Sequence, residues 1–177
     1  MHISLRKLTL MAILTATALI VFIVEAQIPM PVPIQGAKLG LANVVTLFAL
    51  FYAPKSNQNL GRITTAEALM ILICRIILGA AFTGRVVAFI YSLAGGLLGF
   101  AAQAATKRLV TNKQIWVCGV IGAISHNIGQ ILAAMAITST PSIATLLPIL
   151  TVVGIITGII TGLVAQFAVR AIGAKPE

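Results

Sequence analysis

The chain has 177 residues, 59% of them hydrophobic and 8% charged, with a mean hydropathy of +1.09 and a formal net charge of +9. A soluble domain carries about 25% charged residues, so this composition describes an integral membrane protein, with residues 1–177 forming a single domain. The only acids are Glu25, Glu67 and Glu177, with no aspartate and no GxxxxGKS/T phosphate loop, which argues against paired-carboxylate catalysis, a carboxylate-held metal and P-loop ATP binding; no cofactor is expected.

Six apolar stretches are long enough to read as spans, at about 6–26, 37–53, 64–82, 85–106, 114–138 and 143–170. The expected architecture is an all-α integral membrane protein with six transmembrane helices in one compact bundle. The first span opens after Arg6 and Lys7 and carries Ala12 and Ala16 four residues apart, a small-residue face that either packs the bundle or forms an outward groove for a partner helix. Residues 1–26 also resemble a signal peptide, but an apolar stretch of 17 residues exceeds the usual 7–15, so a retained helix is expected.

Glu25 to Lys38 is the most unusual connector. Pro29, Pro31 and Pro33 alternate with apolar residues, a pattern that resists helix and favours an extended path. This segment reads as a lid and rim, with Gln35 and Lys38 directed at a solute. The second span holds Asn43 and is short. The third carries Glu67 near its start, suited to a helix N-terminus, and Arg75 about 11 residues in. At about 1.5 Å per residue that is roughly 16 Å deep, near the midplane. Arg85 separates the third and fourth spans, and the fourth contains Gly95, Gly96 and Gly99, which permit close approach or a local break. The fifth holds His126 and Asn127, with Gln130 one turn beyond on the His126 face. The sixth repeats Gly154, Gly158 and Gly162 on one face, a close-approach surface expected to pack inside the bundle. Cys74 and Cys118 both fall within spans and read as small buried residues.

Basic residues alternate between connectors. Arg6, Lys7, Lys55, Arg62, Lys107, Arg108, Lys113, Arg170 and Lys175 share one side, while Arg85 and Lys38 fall on the other. The positive-inside rule then places both termini in the cytoplasm, in agreement with an even span count. That rule accounts for the charge without nucleic acid, since the interleaved aromatics of a single-strand binder are missing. The polar groups at depth are mostly basic or amide: Arg75, Lys38, His126, Asn43, Gln130, Gln35, Asn127 and Arg85, with Glu25 the lone acid. A charge near the bilayer centre costs about 2.5–3.5 kcal/mol and tends to face a cavity or a partner. Such a set suits a small organic anion, which arginine grips through two parallel hydrogen bonds. The competing reading is structural, with Glu25 neutralising Arg75, Arg85 or Lys38 and the His-Asn-Gln group joining helices.

The stretch Ile28 to Leu47 resembles the bacterial Gx transporter family, also labelled heptaprenyl diphosphate synthase component I. Arg75-Ile-Ile-Leu-Gly79, Tyr91 to Leu97 and His126-Asn-Ile-Gly-Gln130 fit the same family, so the resemblance covers nearly the whole chain. It implies a substrate-binding S-component of an energy-coupling-factor (ECF) transporter in the bacterial cell membrane. It further implies a pocket near the outer face, a small-molecule substrate such as a vitamin, quinone or isoprenoid precursor, and docking through Ala12 and Ala16 to a transmembrane coupling protein that rides on two ATPases. The alternative implied by the older label is a non-catalytic membrane subunit of a prenyl diphosphate synthase. Those synthases chelate Mg2+ through aspartate-rich motifs, and this chain has no aspartate.

Overall fold

A computed structural model describes residues 4–28, 39–53 and 62–172. In chain order these residues form α1 (Leu5–Glu25), α2 (Asn43–Phe51), α3 (Thr65–Thr83), α4 (Val86–Thr106), α5 (Ile115–Thr138), a 3-10 turn (Pro141–Leu146) and α6 (Leu147–Ala171). There is no strand among them. Five segments are long and apolar enough to cross a membrane: α1, α3, α4, α5 and the 3-10 turn together with α6. The protein is a multi-pass membrane protein.

The expected second span, 37–53, is the one that departs from its sequence reading. Its helix is only the nine residues of α2, about 14 Å long against a hydrocarbon core of about 30 Å. Hydropathy counts apolar residues and does not register where the backbone becomes helical. Even so, the chain does return here. Lys7 pairs with Glu67 at 2.8 Å, which puts the N-terminal ends of α1 and α3 at one level. Phe22 packs against Gly79 near their other ends, so α1 and α3 run parallel. Residues 40–52 lead back between them: the Gly40 amide donates to the Glu25 carboxylate at the end of α1, and the Tyr52 carbonyl accepts from Ile63 just before α3.

Charged side chains hold α2 at both ends. Glu25 Oε1 accepts from the Gly40 amide at 2.5 Å and Oε2 from the Ala42 amide at 3.3 Å. Lys107 Nζ donates to the Leu50 carbonyl at 2.5 Å and sits over the Phe51 ring. An acid at the N-terminus and a base at the C-terminus both complement the helix dipole. The irregular backbone at 39–42 needs these partners, because non-helical backbone at membrane depth is tolerated only where protein or a cavity satisfies it.

The other ends follow from local sequence. Thr64 and Glu67 form a capping box on α3: Thr64 Oγ1 accepts from the Glu67 amide, and Glu67 accepts from the Thr64 amide at 2.7 Å. Gly84 closes α3 at φ +63, the left-handed conformation glycine adopts without strain. Pro141 opens the 3-10 turn and Pro148 lies in the first turn of α6.

α4, α5 and α6 pack antiparallel through glycine. A Cβ on Gly158 would stand 2.5 Å from the Val120 Cα, and one on Gly162 2.5 Å from the Trp116 Cα. The glycine face of α6 is thus an intramolecular seam with α5, as expected. On the α4 side, a Cβ on Gly99 would lie 2.9 Å from the Gly122 carbonyl, and α4 runs unbroken through Gly95 and Gly96. Lipid tails are as apolar as leucine, so such close backbone contact supplies the dispersion energy that hydrophobicity does not. Cys118 is buried as expected, but Cys74 is exposed on α3. Apolar residues facing lipid and facing the core look alike in a membrane sequence.

Of the described basic residues, Arg6, Lys7, Arg62, Lys107, Arg108, Lys113 and Arg170 lie at one end of the bundle, where α1, α3 and α5 begin and α2, α4 and α6 end. Arg85 stands at the N-terminus of α4 at the opposite end.

Candidate functional site

The polar residues of four helices meet where α2 begins. Arg75 on α3 is 3% exposed, and its terminal nitrogen donates to Asn43 Oδ1 at 3.1 Å. The guanidinium carbon lies 5.4 Å from the centre of the Phe22 ring on α1, a cation–π contact. Asn43 Nδ2 stands 3.2 Å from His126 Nδ1 on α5, and Gln130 Nε2 stands 2.6 Å from His126 Nε2. The carboxylate of Glu25 completes the group by holding the 40–42 backbone and attracting the Arg75 charge.

These contacts have a direction. Arg75 has only donors, so Asn43 must present its oxygen to Arg75 and its NH2 to His126. His126 Nδ1 then accepts, and the neutral ring carries its proton on Nε2. That N–H is satisfied by the Gly95 backbone, or by Gln130 with its amide oxygen turned inward. A relay therefore runs from Arg75 through Asn43 to His126. Gly40 makes room for it: a Cβ there would lie 3.1 Å from both Asn43 Nδ2 and His126 Cδ2, and its φ of +79 favours glycine as well. Gly95 cradles the ring from the other side, where a Cβ would lie 2.9 Å from His126 Cε1.

One donor in this cluster stands out. Arg75 Nε is buried and has no hydrogen-bond partner among the described residues. A buried donor left unmade costs about 1–3 kcal/mol, and more on a charged group. An acceptor-rich anion beside Arg75 would remove that cost.

The sequence-derived candidates divide into three sets. Arg75, Asn43, His126, Gln130 and Glu25 come together. Asn127 turns the other way and donates to the Leu150 carbonyl of α6 at 2.7 Å, joining α5 to α6. Arg85 is exposed at the α3–α4 turn, apart from the cluster. Gln35 and Lys38, with Pro29, Pro31 and Pro33, lie outside the described residues. Ala12 and Ala16 are exposed on the outer face of α1, so they do not pack the bundle. Phe22 is a member of the cluster that sequence reasoning misses; an aromatic one turn before Glu25 is the available signal. Gln103 and Gln166, buried against Gly122 and bonded to the Ile115 amide respectively, are missed as well.

A family model described as heptaprenyl diphosphate synthase component I matches residues 14–168, about nine-tenths of the chain. The chain belongs to that family. The match spans every element of the cluster, from Phe22 and Glu25 on α1 to Gln130 on α5, and bears out the resemblance seen at Ile28–Leu47 and His126–Gln130. No curated protein and no solved structure gives a significant match. Chemically, the cluster is a buried, donor-rich group in which Arg75 Nε has no partner among the described residues.

Proposed function

We propose that the protein is the substrate-binding S-component of an ECF-type transporter, capturing a small organic anion for ATP-driven uptake. The observation that carries this reading is the buried Arg75, whose Nε has no partner among the described residues, set among Asn43, His126 and Phe22 at the broken entry to α2. A discontinuous helix at membrane depth is a recurring way to build a solute site in a transporter. The anion is a carboxylate or phosphate of a vitamin, quinone or isoprenoid precursor, and Gln35 and Lys38 are proposed, from the sequence alone, as its outer contacts. In this reading the chain crosses six times, α2 and its flanks making the second crossing. The basic end is cytoplasmic, with both termini, by the positive-inside rule. The exposed Ala12 and Ala16 form the surface that meets a coupling membrane protein, which carries two ATPases.

The family description supports a second reading, a membrane subunit that assembles with a prenyl diphosphate synthase. It would be non-catalytic, because the chain has no aspartate to hold the Mg2+ of that chemistry. Affinity purification from the native membrane discriminates the two. Recovery with ATPases and a coupling protein, together with a small acidic compound seen by mass spectrometry, is the expected result. Recovery with a soluble aspartate-rich synthase and no small molecule overturns the transport reading.

A further inference from the structure

A second basic site lies away from the Arg75 cluster, about 15 Å down α3 at about 1.5 Å per residue. A groove of about 470 Å³ runs between the start of α3 and the end of α4, lined by Arg62, Thr65, Ala104, Ala105, Lys107 and Arg108. Ligand pockets start at about 300 Å³, so the volume admits a glycerophosphate headgroup. Ala104 and Ala105 keep its floor open, and three cations and a hydroxyl border it. Lys107 is pre-positioned, with its ammonium on the Leu50 carbonyl and over the Phe51 ring. Glu67, on the first turn of α3, does not cancel this charge, because its carboxylate is engaged by Lys7 and the Thr64 amide.

We propose that this groove binds the phosphate of an anionic membrane lipid. The chemistry it recognises is a phosphate ester, which a lipid headgroup and a soluble glycerophosphate share. The lipid is favoured by position. The groove sits at the ends of two spans, at headgroup level, and the same helices expose Met70 and Ile77 on α3 and Leu97 and Leu98 on α4, an apolar surface for acyl chains. Basic pockets between helices at this level bind anionic headgroups. The proposal is independent of what the Arg75 cluster binds.

The test is native mass spectrometry of the full-length protein in detergent, titrated with phosphatidylglycerol and, separately, phosphatidylcholine. Lys107 is left intact because it holds α2. The Arg62→Gln/Arg108→Gln variant is expected to bind phosphatidylglycerol at least about tenfold more weakly than the wild type. An Arg6→Gln/Arg170→Gln variant removes the same charge from the same end and is expected to bind as the wild type does. Equal affinity for the two lipids, or equal losses in the two variants, overturns the site. Glycerol phosphate is the second arm: no competition at millimolar concentration supports the lipid as ligand, and displacement of the lipid at micromolar concentration overturns that assignment in favour of a soluble phosphate ester.

Discussion

Replacing Arg75 with alanine separates the binding reading from the structural one. The folded protein loses a charged hydrogen bond to Asn43, about 1.5–3 kcal/mol, and a cation–π contact to Phe22, about 0.5–2 kcal/mol. It also sheds the several kcal/mol of desolvation carried by a buried cation. Glu25 keeps its bonds to the Gly40 and Ala42 amides, so α2 stays anchored. These opposing contributions nearly cancel, and the expected change in stability is within about 2 kcal/mol, or a few degrees in Tm. Binding has no such compensation. Truncating one side of a buried charge pair costs about 2–5 kcal/mol, which weakens affinity about 30- to 5,000-fold. The assay is extraction and quantitation of the small molecule that co-purifies with the wild type, followed by its dissociation constant for wild type, Arg75→Ala and Arg75→Lys. Lysine keeps the charge but not the fork, and an intermediate loss is expected. Asn127→Leu serves as contrast: it removes the bond to Leu150 and is expected to lower Tm while leaving affinity unchanged. Retention of the compound by Arg75→Ala at wild-type stoichiometry refutes the reasoning and makes the guanidinium a helix lock.

Three further outcomes follow from the packing. Gly158→Leu places a side chain where Val120 backbone already stands and should destabilise by more than about 3 kcal/mol, whereas Gly84→Ala meets no atom within 4 Å and should cost about 1 kcal/mol from its left-handed backbone alone; thermal unfolding in detergent compares them. Glu67→Ala removes the capping box and the Lys7 pair together and should cost about 1–3 kcal/mol, whereas Lys7→Ala strands the buried Glu67 carboxylate without its cation and should cost at least as much, read from the same unfolding curves. Ala12→Phe with Ala16→Phe adds bulk to an exposed face, so the protein should fold and bind its ligand normally but lose its membrane partner in pull-downs.

Five of the six expected spans, the segregation of basic residues to one end and the shared face of His126 and Gln130 are legible in the sequence, since each depends on hydropathy, charge or the 3.6-residue period. The glycines of α6 are legible too, because three glycines at four-residue spacing leave one helix face without side chains, open to close approach. The length of α2 is not, because its beginning is set by Glu25 bonding backbone amides 15 and 17 residues away. The direction of Asn127 is hidden for a related reason: its acceptor is a main-chain carbonyl, which has no sequence signature. The exposure of Ala12, Ala16 and Cys74 cannot be read either, since lipid accepts the residues that a core accepts.

The glycine seams also bear on motion. Where α5 meets α4 and α6, backbone lies against backbone at Gly129, Gly119 and Gly158, and the side chains that stand between the helices, Gln103, His126, Asn127 and Gln166, are buried. A slide of one residue, about 1.5 Å, would drive α-carbons into carbonyls. The last three helices therefore behave as one rigid plate. Whatever opening admits a ligand to Arg75 must come from the first three helices, pivoting on α2, whose start is tied by Glu25 and by Arg75 through Asn43 and whose end is tied by Lys107.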